Sequence, residues 1–203
     1  MAADRFGHDR YLIDQIVRPL VNLYRVTPLA AGEVPAGDAV AFVRQKRMAL
    51  REDIRFFADE SEAEELFRIK ARSVLDIGGA RYDVVAADGS PVGRLEHVFG
   101  KSLIRSTWRI VGADDSEVAI ARERSQWLAI ARRIVDFVPY GEWIPIPYDF
   151  VLLRGDRDLG HFTRRFLSLR DRYDLDLSGD HDRSLDRRLA LALGIALDAL
   201  QNR

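Results

Sequence analysis

Two groups of basic residues are where this chain most plainly could do chemistry. Arg44, Lys46, Arg47 and Arg51 form one stretch, and Arg122, Arg124, Arg132 and Arg133 form another. Guanidinium groups recognise phosphate through planar, charge-assisted hydrogen bonds, so these eight residues would make an anionic-headgroup site if folding brought them to one rim. Glu52, Asp53, Glu123 and Asp136 lie close by in sequence, and a salt-bridged exterior is the competing reading. His8, His97, His161 and His181 are scattered, with no second ligand at metal spacing along one helix face. Ser102, Ser106 and Ser125 have no histidine near them in sequence and no nucleophile-elbow pattern around them. The chain has no cysteine, which excludes disulfides, thiolate metal sites and cysteine nucleophiles.

Two further motifs are weaker. VLDIGGA at 74–80 has the glycine pattern of a nucleotide-cofactor loop of the methyltransferase kind. That chemistry needs a following helix, whereas RYDVVAADG reads as a strand and a turn. Asp171, Asp174, Asp176, Asp180 and Asp182 form an acidic run, and 174–180 loosely suggests a calcium loop. It lacks the glycine position and the closing bidentate glutamate. No catalytic residue, cofactor or metal is therefore expected.

The elements that must position these residues fall into two parts. Leu12, Ile16 and Leu20 recur every four residues, as do Ile13, Val17 and Val21, which predicts an amphipathic helix over 11–24 with Pro19 as a kink. Residues 27–38 are rich in Pro, Gly and Ala and read as a loop, so 1–38 is expected to be a helix plus linker. From 39 onward short runs alternate in hydrophobicity between turn residues. Strands are predicted near 40–48, 50–58, 65–73, 80–87, 91–98, 102–112 and 117–125, and again near 148–154, 158–166 and 170–178. Asp88-Gly89 predicts a type I′ hairpin turn, and 127–138 reads as helical.

The last element is the most informative. Leu189 to Leu197 reads LALALGIAL, with no polar face, so a helix here must be buried on all sides. Nine residues rise only about 14 Å, under half of a bilayer core. Arg187, Arg188 and Asp198 bound the segment. Ser184 is the expected N-cap, with Asp186 in the first turn. About ten strands are available to surround it, and Leu189, Leu193 and Leu197 are expected inside a β-barrel of 10–12 antiparallel strands.

Composition agrees with one folded domain. The chain has 203 residues, 47% apolar and 31% charged, with formal net charge -1. That charge supplies no global basic field for nucleic acid. The first ten residues lack the apolar stretch of a secretory signal, and no run of about 20 apolar residues appears, so a cytoplasmic protein without a transmembrane segment is expected.

FVRQKRMALREDIR at 42–55, FRIKARS at 67–73, RYDVVAADGSPVGRL at 81–95 and KSLIRSTWRI at 101–110 resemble the LURP-one-related family, in its bacterial form. LDRRLALALGIALDAL at 185–200 is similar to that family's central helix. The resemblance covers about 39–202 and implies the tubby C-terminal-like fold, a barrel threaded by a hydrophobic helix, shared with the phospholipid scramblases. It implies a mostly β barrel domain over 39–203 and no enzyme chemistry. The expected function is a non-catalytic binding or scaffold protein, recognising anionic phospholipid at a membrane surface or a protein partner. The N-terminal helix would pack on the barrel or serve a partner. The alternative is an enzyme or small-ligand carrier using an open end of the barrel, which a filling helix opposes.

Overall fold

A computed structural model describes residues 5–18, 21–31, 34–46, 53–72, 80–98, 106–124, 149–165 and 171–201. Among them are twelve strands: β1 Arg10–Arg18, β2 Val21–Pro28, β3 Ala41–Lys46, β4 Asp53–Phe57, β5 Glu65–Ala71, β6 Arg81–Ala86, β7 Pro91–Val98, β8 Thr107–Gly112, β9 Glu117–Glu123, β10 Asp149–Arg154, β11 Arg157–Arg164 and β12 Arg172–Asp176. One helix, α1, covers Arg187–Gln201. Each strand pairs antiparallel with the next, and β1 pairs with β12 (Arg10 opposite Asp176, Ile13 opposite Tyr173), so the sheet closes with no free edge. Strands about 4.8 Å apart and tilted about 40° give twelve of them a diameter of about 24 Å. Because directions alternate, odd-numbered strands end at one rim, called upper here, and even-numbered strands end at the lower rim.

The strands form where side chains alternate. In β2, Asn22, Tyr24, Val26 and Pro28 are buried while the residues between them are more exposed. In β8, Trp108 and Ile110 point inward and Arg109 outward. Inward side chains from the twelve strands merge with α1 into one core.

The helix lies inside this wall. Leu189 to Leu197 are all buried, and Leu189, Leu193 and Leu197 are each no more than 1% exposed. It is contacted from opposite sides. A Cβ on Gly93 of β7 would fall 3.0 Å from the Leu189 methyls, and one on Gly194 would fall 2.8 Å from Phe162 of β11 and 3.4 Å from Ile13 of β1. β7 and β1 are six strands apart around the ring. Gly194 is the small position that lets the Phe162 ring approach the helix axis. Helix α1 starts at the lower rim, where β12 ends, and runs toward the upper.

Three local expectations are corrected. Residues 11–24 are not a helix but most of β1 and β2, paired along their length from Tyr11 opposite Pro28 to Arg18 opposite Val21. The reason is arithmetic: a recurrence of four is also a multiple of two and fits a strand as well as a helix. The β-branched Ile13, Ile16, Val17, Val21 and Val26 favour the strand, and Pro19 forces its predecessor into extended geometry. A free N-terminal helix as a partner surface falls with it, and the segment supplies two strands of the barrel. The N-cap of α1 is Asp186 rather than Ser184. The Asp186 carboxylate accepts from the Arg188 N–H at 2.8 Å, while Ser184 Oγ donates to Asp180 and Asp182. The 87–90 hairpin is present, but only Gly89 has positive φ (87°), which is incompatible with a type I′ turn. The helix expected at 127–138 and the VLDIGGA loop at 74–79 lie outside the described residues.

Candidate anion-binding surface

Polar locks hold α1 at both ends, and they decide which charges stay available outside. At the lower end Arg187 is 6% exposed. Its guanidinium bonds the Asp180 carboxylate and reaches Asp9 at 2.8 Å. Asp180 also accepts from the Leu185 N–H at 3.1 Å and from Ser184 Oγ at 2.9 Å. A buried charge pair so completely bonded ties the chain before β1 to the helix start. Toward the upper end Asp198 accepts from the hydroxyls of Tyr24 on β2, at 2.7 Å, and Tyr173 on β12. Burial raises the Asp198 carboxyl above the usual carboxylate range, and the two tyrosine hydrogen bonds pull it part of the way back. Burial, then the charge of Asp198, raises both tyrosines.

The described connections of the lower rim are acidic. The lower-rim connection 58–64 carries Asp59, Glu60, Glu62 and Glu64 with no base, and the hairpin turns there add Asp88, Asp114, Asp115 and Asp156. Asp59, Asp88 and Asp114 each accept from the hydroxyl and N–H of the serine two residues on. Those bonds hold the three carboxyls below the usual carboxylate range, so they stay ionised.

Against this frame the expected basic residues separate. Arg44 on β3 pairs with Glu62 at 2.6 Å, and the lower rim consumes its charge. Lys46 ends β3. Arg122 on β9 is exposed and has no ion-pair partner among the described residues. Arg124 lies 3.8 Å from Asp149. β3 and β9 are six strands apart in either direction, so Arg44 and Arg122 stand on opposite walls. Arg47, Arg51, Arg132 and Arg133 lie outside the described residues.

Other candidates are placed as follows. The acidic run is engaged by arginines: Asp171 by Arg164, Asp174 by Arg165, Asp176 by Arg10, Asp180 by Arg187 and Asp182 by Arg157. Among the described residues no three His, Asp or Glu are grouped as a metal ion requires. β7 and β8 bring His97 Nε2 to 3.2 Å from Ser106 Oγ, a contact that sequence distance concealed. Burial lowers the His97 pKa, favouring the neutral ring. An open cleft of about 390 Å³ lies beside the start of α1 between Phe6, Leu66 and Leu185, and its arginines Arg183, Arg187 and Arg188 are bonded to Asp9, Asp180 and Asp186.

Sequence reasoning missed Arg18 on β1 and Lys70 on β5, both exposed and without an ion-pair partner among the described residues. Lys70 was legible as an outward residue of an alternating strand. Arg18 was hidden by the helical reading of its segment.

No helix among the described residues is long and apolar enough to cross a membrane. No curated protein matches the chain significantly. The LURP-one-related family model matches residues 39–198, from just before β3 to Asp198 on α1, although the barrel closes only through β1 and β2. The chain belongs to the LURP-one-related family.

Proposed function

We propose that this chain is a non-catalytic binding protein whose barrel exterior recognises anionic phospholipid headgroups, acting in the cytoplasm at the inner membrane face. In this reading the helix-threaded barrel is of the tubby C-terminal-like, scramblase-related kind, in a bacterial member. The observation that carries it is the filled interior. With α1 buried from Leu189 to Leu197 and contacted by β1, β7 and β11, the barrel has packed side chains where a carrier would hold its ligand. Recognition then falls to the outside, where Arg122 stands exposed with no ion-pair partner among the described residues and Arg124 lies 3.8 Å from Asp149. Arginine at such positions suits phosphate.

Co-sedimentation with vesicles tests this. The chain is expected to pellet with phosphatidylcholine vesicles containing phosphatidylserine and to stay in the supernatant with phosphatidylcholine alone. Equal, negligible pelleting with both would remove lipid from the account.

A further inference from the structure

We infer that the cleft at the lower rim docks a basic segment of a partner protein, which seats an apolar side chain in the cleft and sets its lysines or arginines on the acids around it. The site is separate from the lipid reading and goes beyond it.

The cleft, of about 390 Å³, is walled by Phe6 ahead of β1, Leu66 at the start of β5 and Leu185 ahead of α1. Its size is that of a small ligand pocket. Leu185 is buried, whereas Phe6 and Leu66 pack against the core and stay half-covered. Phe6 stands edge-on against Phe67, with ring centres 5.7 Å apart. The walls are therefore preformed, and an apolar group that enters covers apolar surface that would otherwise face water.

The polar floor is neutral. Arg183 meets Asp9 at 3.1 Å, Arg188 meets Asp186 at 2.7 Å, and Arg187 is bonded to Asp180. Asp186 also caps the first turn of α1, so the helix start adds no uncompensated positive end. An anionic ligand finds no spare cation in this floor.

The lips are acidic. Asp59, Glu64 and Asp88 have no ion-pair partner among the described residues. Backbone bonds place them at the cleft. Arg5, next to Phe6, donates to the Ala58 carbonyl at 3.1 Å, and the Ala87 N–H donates to the Leu66 carbonyl at 3.1 Å. Glu64 precedes Leu66 by two residues, and Asp88 lies close enough to Arg188 for their charges to act on each other. No three acids among the described residues are grouped as a metal ion requires, so cations spaced along a peptide suit these lips better than a single ion. A second copy of the chain does not supply that peptide from its described surface. Val34, 59% exposed, is the sole large apolar side chain exposed there, and it lies between Glu33 and Pro35 rather than beside a base.

The test is fluorescence anisotropy of a labelled hexapeptide, Lys-Lys-Leu-Phe-Lys-Lys, titrated with the whole chain at low ionic strength. Saturable binding with Kd below about 1 mM is expected. Replacing Leu-Phe by Gly-Gly should weaken it at least about tenfold, and replacing the lysines by glutamates should abolish it. Asp59→Asn/Glu64→Gln/Asp88→Asn removes three surface ion pairs and should weaken binding about tenfold. The control Asp114→Asn/Glu117→Gln/Asp156→Asn makes the same change in net charge on hairpins three or more strands around the ring from β5, and should change it less than about threefold. Thermal melting checks that both variants are folded, and the peptide series needs neither of them. No saturable binding, equal binding of the glycine or glutamate peptide, or equal loss in the two variants would overturn the site. Self-association of the wild type that the lip variant abolishes would put a second copy in the cleft and overturn it as well.

Discussion

Replacing Leu193 by aspartate puts a carboxylate at the middle of α1, at a position 1% exposed. The neighbours Leu191, Ala192, Ile195 and Ala196 are fully buried, so no rotation of the helix carries the new group to water. The loss has three parts. Removing the leucine side chain from the core costs about 2 kcal/mol. The aspartate must then take up a proton, which costs about 4 kcal/mol at pH 7 for a group whose ordinary pKa is about 4. The neutral acid still buries polar atoms without partners, adding about 1–3 kcal/mol. The sum of about 7–9 kcal/mol is comparable with the whole stability of an ordinary domain, about 5–15 kcal/mol. Leu193→Asp is therefore expected to lose the cooperative melt in circular dichroism and to leave the monomer peak in size-exclusion chromatography. Leu193→Ala, which only opens a cavity, should cost about 2–5 kcal/mol and remain folded, melting roughly 4–20 °C lower. A monomeric Leu193→Asp protein melting within a few degrees of the wild type would refute the buried-helix argument.

Asp198 makes the folded state sensitive to pH. Its folded pKa lies above the unfolded value of about 4, so its contribution is fully present below that value and lost as pH rises through the folded one. Asp198→Asn should gain stability relative to the wild type as pH rises from about 4 toward neutrality, and a difference in melting temperature that stays constant with pH would contradict the assignment. Tyr173→Phe removes one of the two hydroxyls bonded to that buried carboxylate. It should cost about 1.5–3 kcal/mol in urea unfolding, and a change below about 0.5 kcal/mol would show that the bond carries no weight.

How much of this was legible in the sequence depended on the range of the signal. The strands from β3 to β12 fall where alternation and turn residues put them, because a half-buried strand writes its burial locally. The terminal helix was legible for the same reason, and its length alone pointed to a protein container. β1 and β2 were misread because apolar residues four apart satisfy two periods at once. The site was much less legible. Whether Arg44 and Arg122 converge depends on their positions around a closed ring, and only the strand order places them on opposite walls. Likewise Asp198 finds Tyr24, 174 residues away, through the packing of the helix inside the wall. The same holds for His97 and Ser106, which meet only because β7 and β8 pair.

A barrel with a packed interior is expected to work through its surface on anionic lipid. Vesicle partitioning measured against phosphatidylserine content and salt tests it most directly. Binding is expected to rise with the anionic fraction and to weaken as salt shortens the Debye length. Partitioning that is absent at every composition, or that is unchanged by salt and equal on phosphatidylcholine alone, would contradict it.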